Sequence, residues 1–304
     1  MTSTPPSGFD APAEPAPAPA PAAPQLEPGS PTVARAAGRP GWRPWTAWGA
    51  ILAGFGLTVF GGMIVAIVTA AMGASVSDPS PGVNIGLTLF QNLALLSAAL
   101  LFARLSGVPS AADFGLRRPA LGRAFGLLLG VWLLFYAISA AWVSALGLDE
   151  KQTLPDELGV TNSTLNLALV MVLITVVAPL GEELFFRGYF FAALRNWKGW
   201  VPAAIITGLI FGAIHIGSAP IGLTVPLAFF GFGLCVLYHK TGSLYPCIAL
   251  HAMNNAVALG LTQKWTWEIA PLLVGAVIAS LTVAWLLARG LGARGAASAV
   301  APAL

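Results

Sequence analysis

The sequence predicts an all-α polytopic membrane bundle of about eight helices, on three observations. Hydrophobic residues make up 57% of the 304 positions and charged residues only 9%, whereas soluble domains carry roughly a quarter charged residues. Apolar runs long enough to cross a bilayer recur along the chain. The basic residues also divide very unevenly between alternate loops. So few charges cannot cover a water-soluble protein of this size.

Breaks at polar, Gly and Pro clusters give eight expected spans, at 46–73, 84–104, 124–147, 165–194, 200–216, 220–239, 244–262 and 268–288. Trp42, Trp45 and Trp48 lead into the first and read as an interfacial aromatic belt. Pro202 lies in the first turn of the fifth, where proline is tolerated. Ser243 is the expected N-cap of the seventh. Residues 1–40 are read as a disordered cytoplasmic tail, because the prolines in the run from Ala11 to Pro24 remove backbone donors and its side chains are small. The start has no basic-then-apolar pattern of a signal peptide. The membrane domain is expected over 41–290, and 291–304 as a short second tail.

Alternating the spans from a cytoplasmic N-terminus tests this arrangement. Every Lys and Arg then falls on the cytoplasmic side except Lys151, Lys264 and Arg187, which lies inside a span. That split follows the positive-inside rule and puts both termini in the cytoplasm. A net charge of +3, with Arg near helix ends, suits membrane orientation rather than nucleic-acid binding. Cys235 and Cys247 lie in apolar segments, form no zinc spacing or disulfide framework, and read as small packing residues.

The fourth span is unusual because it carries charge: Pro179-Leu-Gly-Glu182-Glu183-Leu-Phe-Phe-Arg187. A charge at the centre of a span costs at least about 2.5 kcal/mol, so these groups must face the bundle and find partners. Glu183 and Arg187 are four apart and share a face. Glu182 is turned about 100° from Glu183 and is left for chemistry. Pro179 and Gly181 are expected to loosen the helix before it. The fifth span offers Phe211 and His215 on one face, and the seventh His251 and Asn255. Counting about 1.5 Å per residue puts Glu182, His215, His251 and Asn255 in a common slab of the bilayer. His239, beside Lys240, reads as an interfacial residue.

In this order, Glu182-Glu183-x-x-x-Arg187, Phe211-x-x-x-His215 and His251-x-x-x-Asn255 resemble the CPBP family, which includes the CAAX prenyl endopeptidases and the bacterial Abi, or bacteriocin-processing and immunity, relatives. The resemblance covers about residues 110–262, including the Phe114-Gly-Leu-Arg-Arg-Pro119 stretch. It implies an intramembrane endopeptidase in which Glu182 activates water with help from His215, and His251 and Asn255 hold the oxyanion. Glu183, Arg187 and Phe211 would support them. General chemistry agrees: hydrolysis needs a base beside the water and donors aimed at the developing oxyanion.

No cofactor is favoured. The alternative is a divalent metal such as zinc, held by Glu182, His215 and His251 with water in the fourth place, although there is no His-Glu-x-x-His pattern. The expected partners are the lipid bilayer, in a bacterial cell membrane, and a peptide or membrane-protein substrate, lipid-modified ones included. Two other readings stand beside the peptidase. One is a non-proteolytic membrane immunity or scaffold protein of the same family. The other is a proton-coupled transporter, since buried Glu and His also serve proton relays. Internal repeat symmetry, the mark of many transporters, is not evident.

Overall fold

The bundle is built around one long central rod, α5 (Thr164–Lys198). The computed structural model describes residues 40–148 and 154–300, with side chains up to 292. The tail over residues 1–39, Lys151 and the side chain of Arg294 lie outside the described residues. The other helices are α1 (Pro44–Ala71), α2 (Pro81–Arg104), α3 (Leu121–Leu146), the single turn α4 (Leu154–Glu157), α6 (Trp200–Ala213), α7 (Ile221–Thr241), α8 (Tyr245–Thr262) and α9 (Ile269–Val300). No strand occurs among the described residues.

Six of these rods, α1, α2, α3, α5, α7 and α9, are long and apolar enough to cross a membrane. The chain is therefore a multi-pass helical membrane protein. The two remaining rods of the expected eight are those that carry the histidine motifs. The α6 rod has only 14 residues, about 21 Å of rise against a hydrocarbon core of about 30 Å. The α8 rod is long enough but is made polar by His251, Asn254 and Asn255.

Lipid-facing positions keep large apolar side chains exposed, for example Leu52, Phe60 and Ile67 on α1. Contact faces use small residues, which let backbones approach without a hydrophobic driving force between helices. Thus Ala47, Ala50 and Gly54 of α1 are buried against Ala98, Ala99 and Leu95 of α2. The α6–α7 hairpin is tighter still. A Cβ on Gly212 would lie 2.5 Å from the Thr224 carbonyl oxygen, and one on Gly208 would lie 2.8 Å from that of Ala228. Gly212→Val is expected to force α6 off α7 and destabilise the protein by about 3 kcal/mol. Thermal unfolding in detergent checks this, and an unchanged transition would mean that the hairpin is not close-packed.

The Phe114–Pro119 stretch is a brace. Phe114 is buried, and its carbonyl packs on Gly188 of α5. Gly115 takes φ +80° under the Tyr238 ring, a conformation and a space open only to glycine. The Leu244 amide donates to the Gly115 carbonyl at 2.7 Å, and the Ser243 hydroxyl to that of Arg117 at 2.7 Å. Ser243 is therefore not the N-cap of α8. Leu244 occupies that position without a side-chain bond, while the Ser243 hydroxyl donates to the brace and accepts from the Tyr245 amide at 3.3 Å.

Two other expectations change. Trp42 is 3% exposed and packs its ring on Phe114 and Tyr189, so it belongs to the core. The carbonyls of Pro40 and Trp42 both accept from Asn196 Nδ2, which ties the entry segment to the end of α5. Trp45 and Trp48 remain outward-facing. The fifth rod stops at Ala213 rather than residue 216. The chain turns through Gly217, at φ +96°, before Pro220.

Candidate active site

The site starts from a defect in α5. Pro179 has no N–H to give to the preceding turn, and two stretches of the rod, Leu173–Val177 and Leu184–Phe191, are wound as wide π-turns. The carbonyls that would have received that N–H belong to Ile174 in π geometry and Thr175 in α geometry. Both find donors elsewhere. Asn255 Nδ2 of α8 donates to the Ile174 carbonyl at 2.9 Å, and the Ser280 hydroxyl of α9 to that of Thr175 at 3.2 Å. Irregular backbone at membrane depth requires such replacement partners. Gly181 does more than loosen the helix. It makes room for Asn92 of α2, whose Oδ1 lies 2.8 Å from where a Cβ would stand.

The adjacent acids divide as their rotation predicts. Glu183 is fully buried and its Oε1 accepts from Arg187 Nη1 at 2.7 Å. Arg187, also fully buried, donates Nη2–H to the Gly231 carbonyl of α7 at 3.1 Å, and its guanidinium lies 4.5 Å from the Phe211 ring centre. The same Glu183 oxygen lies 2.8 Å from His251 Nδ1. One carboxylate thus joins α5 to α8 directly and, through Arg187, to α6 and α7. Phe211 packs on both imidazoles, with ring centres 4.9 Å from His215 and 5.8 Å from His251.

Glu182 turns the other way, into a cavity of about 350 Å³ that it lines with His215, His251, Asn254, Asn255 and Asn92. Its side chain is 12% exposed, and Oε2 stands 3.9 Å from His251 Nε2. That gap is too long for a direct hydrogen bond and suits a bridging water. With Nδ1–H bound to Glu183, His251 presents Nε2 to the cavity. His215 sits in the turn after α6, not within the helix. Its Nδ1 is 2.7 Å from the Phe211 carbonyl. A carbonyl only accepts, so Nδ1 carries the proton and Nε2 is left for the cavity.

All four residues expected to do chemistry therefore line one cavity. Two arrangements were not foreseen: the Glu183 bond that orients His251, and the use of one Asn255 amide hydrogen on Ile174. Sequence reasoning also passed over Asn254 and Asn92. The available signal was polar side chains inside apolar spans. Cys235 and Cys247 are free and buried, as their apolar surroundings suggested. His239 stacks on Trp200, with ring centres 4.6 Å apart.

A metal needs a converging donor set. Among the described residues no group of three His, Cys, Asp or Glu side chains is placed to hold one. The oxygens that hold Nδ1 of His215 and of His251 leave both Nε2 atoms to the cavity, an orientation that metal-ligating imidazoles share. A second, wider groove of about 840 Å³ runs between α3, α6 and α7 and is almost wholly apolar; Ile216 lines both spaces.

Fold and site together define a helical membrane protein with a polar centre buried in its bundle. Residues 164–257, under half of the chain, match the family described as Type II CAAX prenyl endopeptidase Rce1-like. It is 30% identical over 87 residues to a Bacillus subtilis (strain 168) protein named "Putative membrane peptidase YdiL". It is also 30% identical over 141 residues to an "Uncharacterized 24.3 kDa protein" of Escherichia coli. These stretches take in 29% and 44% of this chain, and 34% and 64% of the relatives' own lengths. No solved structure matches the chain.

Proposed function

We propose that this protein is an intramembrane endopeptidase of a bacterial cell membrane, cleaving a membrane-protein or lipid-modified peptide with water activated by Glu182. The observation that carries this is the 3.9 Å separation of Glu182 Oε2 and His251 Nε2 across a buried cavity. A water held in that gap gives one proton to Glu182 while its oxygen attacks the scissile carbonyl carbon. His215 Nε2 assists from the turn. The oxyanion of the tetrahedral intermediate takes N–H bonds from His251, when its ring carries both protons, and from the remaining amide hydrogen of Asn255. Collapse breaks the C–N bond, and the proton on Glu182 passes to the leaving amine. The apolar groove that meets the cavity at Ile216 suits a substrate arriving sideways from lipid.

The test uses purified protein in proteoliposomes with two quenched-fluorescent peptides, one a farnesylated CAAX peptide and one an unmodified transmembrane segment. Cleavage is followed by mass spectrometry in ¹⁸O-water. The expected result is a new C-terminus bearing one ¹⁸O atom in at least one peptide. If neither is cut, and cells carrying Glu182→Ala with His215→Ala keep their wild-type phenotype, the protein is a binder and the proposal falls.

A further inference from the structure

The second rod holds a polar stripe that the family match, which begins at residue 164, does not reach. Asn84, Thr88 and Asn92 recur at four-residue intervals on α2, so they share one face of an otherwise apolar span. Thr88 and Asn92, with Gln91, line the same cavity as Glu182. Such residues are costly inside a membrane and are kept where they line a pathway or a site.

Asn92 is the informative one. It is 4% exposed. Its Nδ2 donates to the Thr88 carbonyl at 2.9 Å, which fixes the amide, since the flipped form would set two oxygens against each other. Oδ1 is thereby turned toward Gly181, the residue before Glu182, and has no hydrogen-bond partner. Glu182 Oε2 is likewise buried without a partner. An unmade bond on a buried acceptor is costly. Asn92 and Glu182 both line the polar cavity, and a molecule that brings donors would satisfy both oxygens. Water carries two O–H bonds, and the cavity has ample room for one.

We infer that Asn92 is the second acceptor for the hydrolytic water, taking one O–H while Glu182 takes the other. This rests on Glu182 being the base. With both hydrogens engaged, the lone pair of the water oxygen is directed away from both acceptors, toward the scissile carbon. When Glu182 removes its proton, the O–H held by Asn92 stays on the attacking oxygen, so no second proton moves. Asn92 thus orients the nucleophile without acting as a base, and its effect falls on turnover rather than on substrate binding.

The experiment compares Asn92→Leu, which keeps the volume and removes the acceptor, with Asn92→Gln, which keeps both the amide oxygen and an amide donor. Glu182→Gln serves as reference, and the full chain is used in proteoliposomes with the two quenched peptides. The expected result for Asn92→Leu is a fall in kcat of about 10- to 100-fold, with KM within twofold and an unchanged melting transition. Asn92→Gln should recover most of the loss. A kcat for Asn92→Leu within twofold of wild type, or a loss that follows the melting transition and is not recovered by Gln, overturns the inference. If Glu182→Gln stays active, the reading of the base fails first, and this inference falls with it. If Glu182→Gln is dead and Asn92→Leu is normal, only the role of Asn92 falls. Should the wild type cut neither peptide, a high-resolution map decides: ordered water bridging Asn92 Oδ1 and Glu182 supports the assignment, and its absence ends it.

Discussion

Glu182→Gln is expected to remove the peptide hydrolysis proposed for this protein and to leave the fold intact. Loss of a positioned general base costs about 10²- to 10⁴-fold in rate, and the amide is nearly isosteric with the acid. The Glu182 Oε2 has no hydrogen-bond partner, and the neighbouring ion pair uses Glu183 instead. The melting transition should therefore stay in place or rise slightly, because a buried charge has been removed. Product formation by mass spectrometry, read beside thermal unfolding in detergent, checks both halves. Residual activity within tenfold of wild type would assign the proton transfer to another group.

The opposite pattern is expected one turn further along. Arg187→Met destabilises the protein by about 3–5 kcal/mol, because it leaves Glu183 charged, buried and stripped of its counter-ion. Arg187 and Glu183 are each 0% exposed, so water cannot replace the lost partner. The change also frees the Gly231 carbonyl and empties the space over Phe211. Combining it with Glu183→Gln should recover a good part of the stability by removing the stranded charge, although His251 then loses its anionic support at 2.8 Å. Unfolding midpoints of the two single variants and the double variant measure the coupling. Equal, additive losses would show that the pair is not a unit.

Much of this was legible in the sequence because membranes punish polarity. Glu182, Glu183 and Arg187 stand out in an apolar run, and the rotation between neighbouring helical residues separates Glu182 from the ion pair. His215 and His251 stood out for the same reason. What could not be read were relations across the chain. Nothing local tells that His251 will spend Nδ1 on an acid 68 residues earlier, or that Asn255 will cap a carbonyl left bare by a proline on another helix. His215 was assigned to a helix because hydropathy does not see where a rod ends; Gly217 and Pro220 were the clue. Trp42 was assigned to the lipid interface because aromatic residues before a span usually sit there, and only the burying Phe114 and Tyr189 reveal otherwise. Asn92 was a polar residue in a span, the same signal as the others, passed over because no charge marked it.

The bare carbonyls of α5 also bear on how the protein is made. Ribosomes deliver helices in order, and the donors that complete Ile174 and Thr175 are Asn255 and Ser280, on the last two rods. Until those arrive, the central rod sits in lipid with two unsatisfied oxygens, each costing several kcal/mol. Glu182 is thus held on an unfinished support until those rods arrive, so the site proposed here is assembled only late in synthesis.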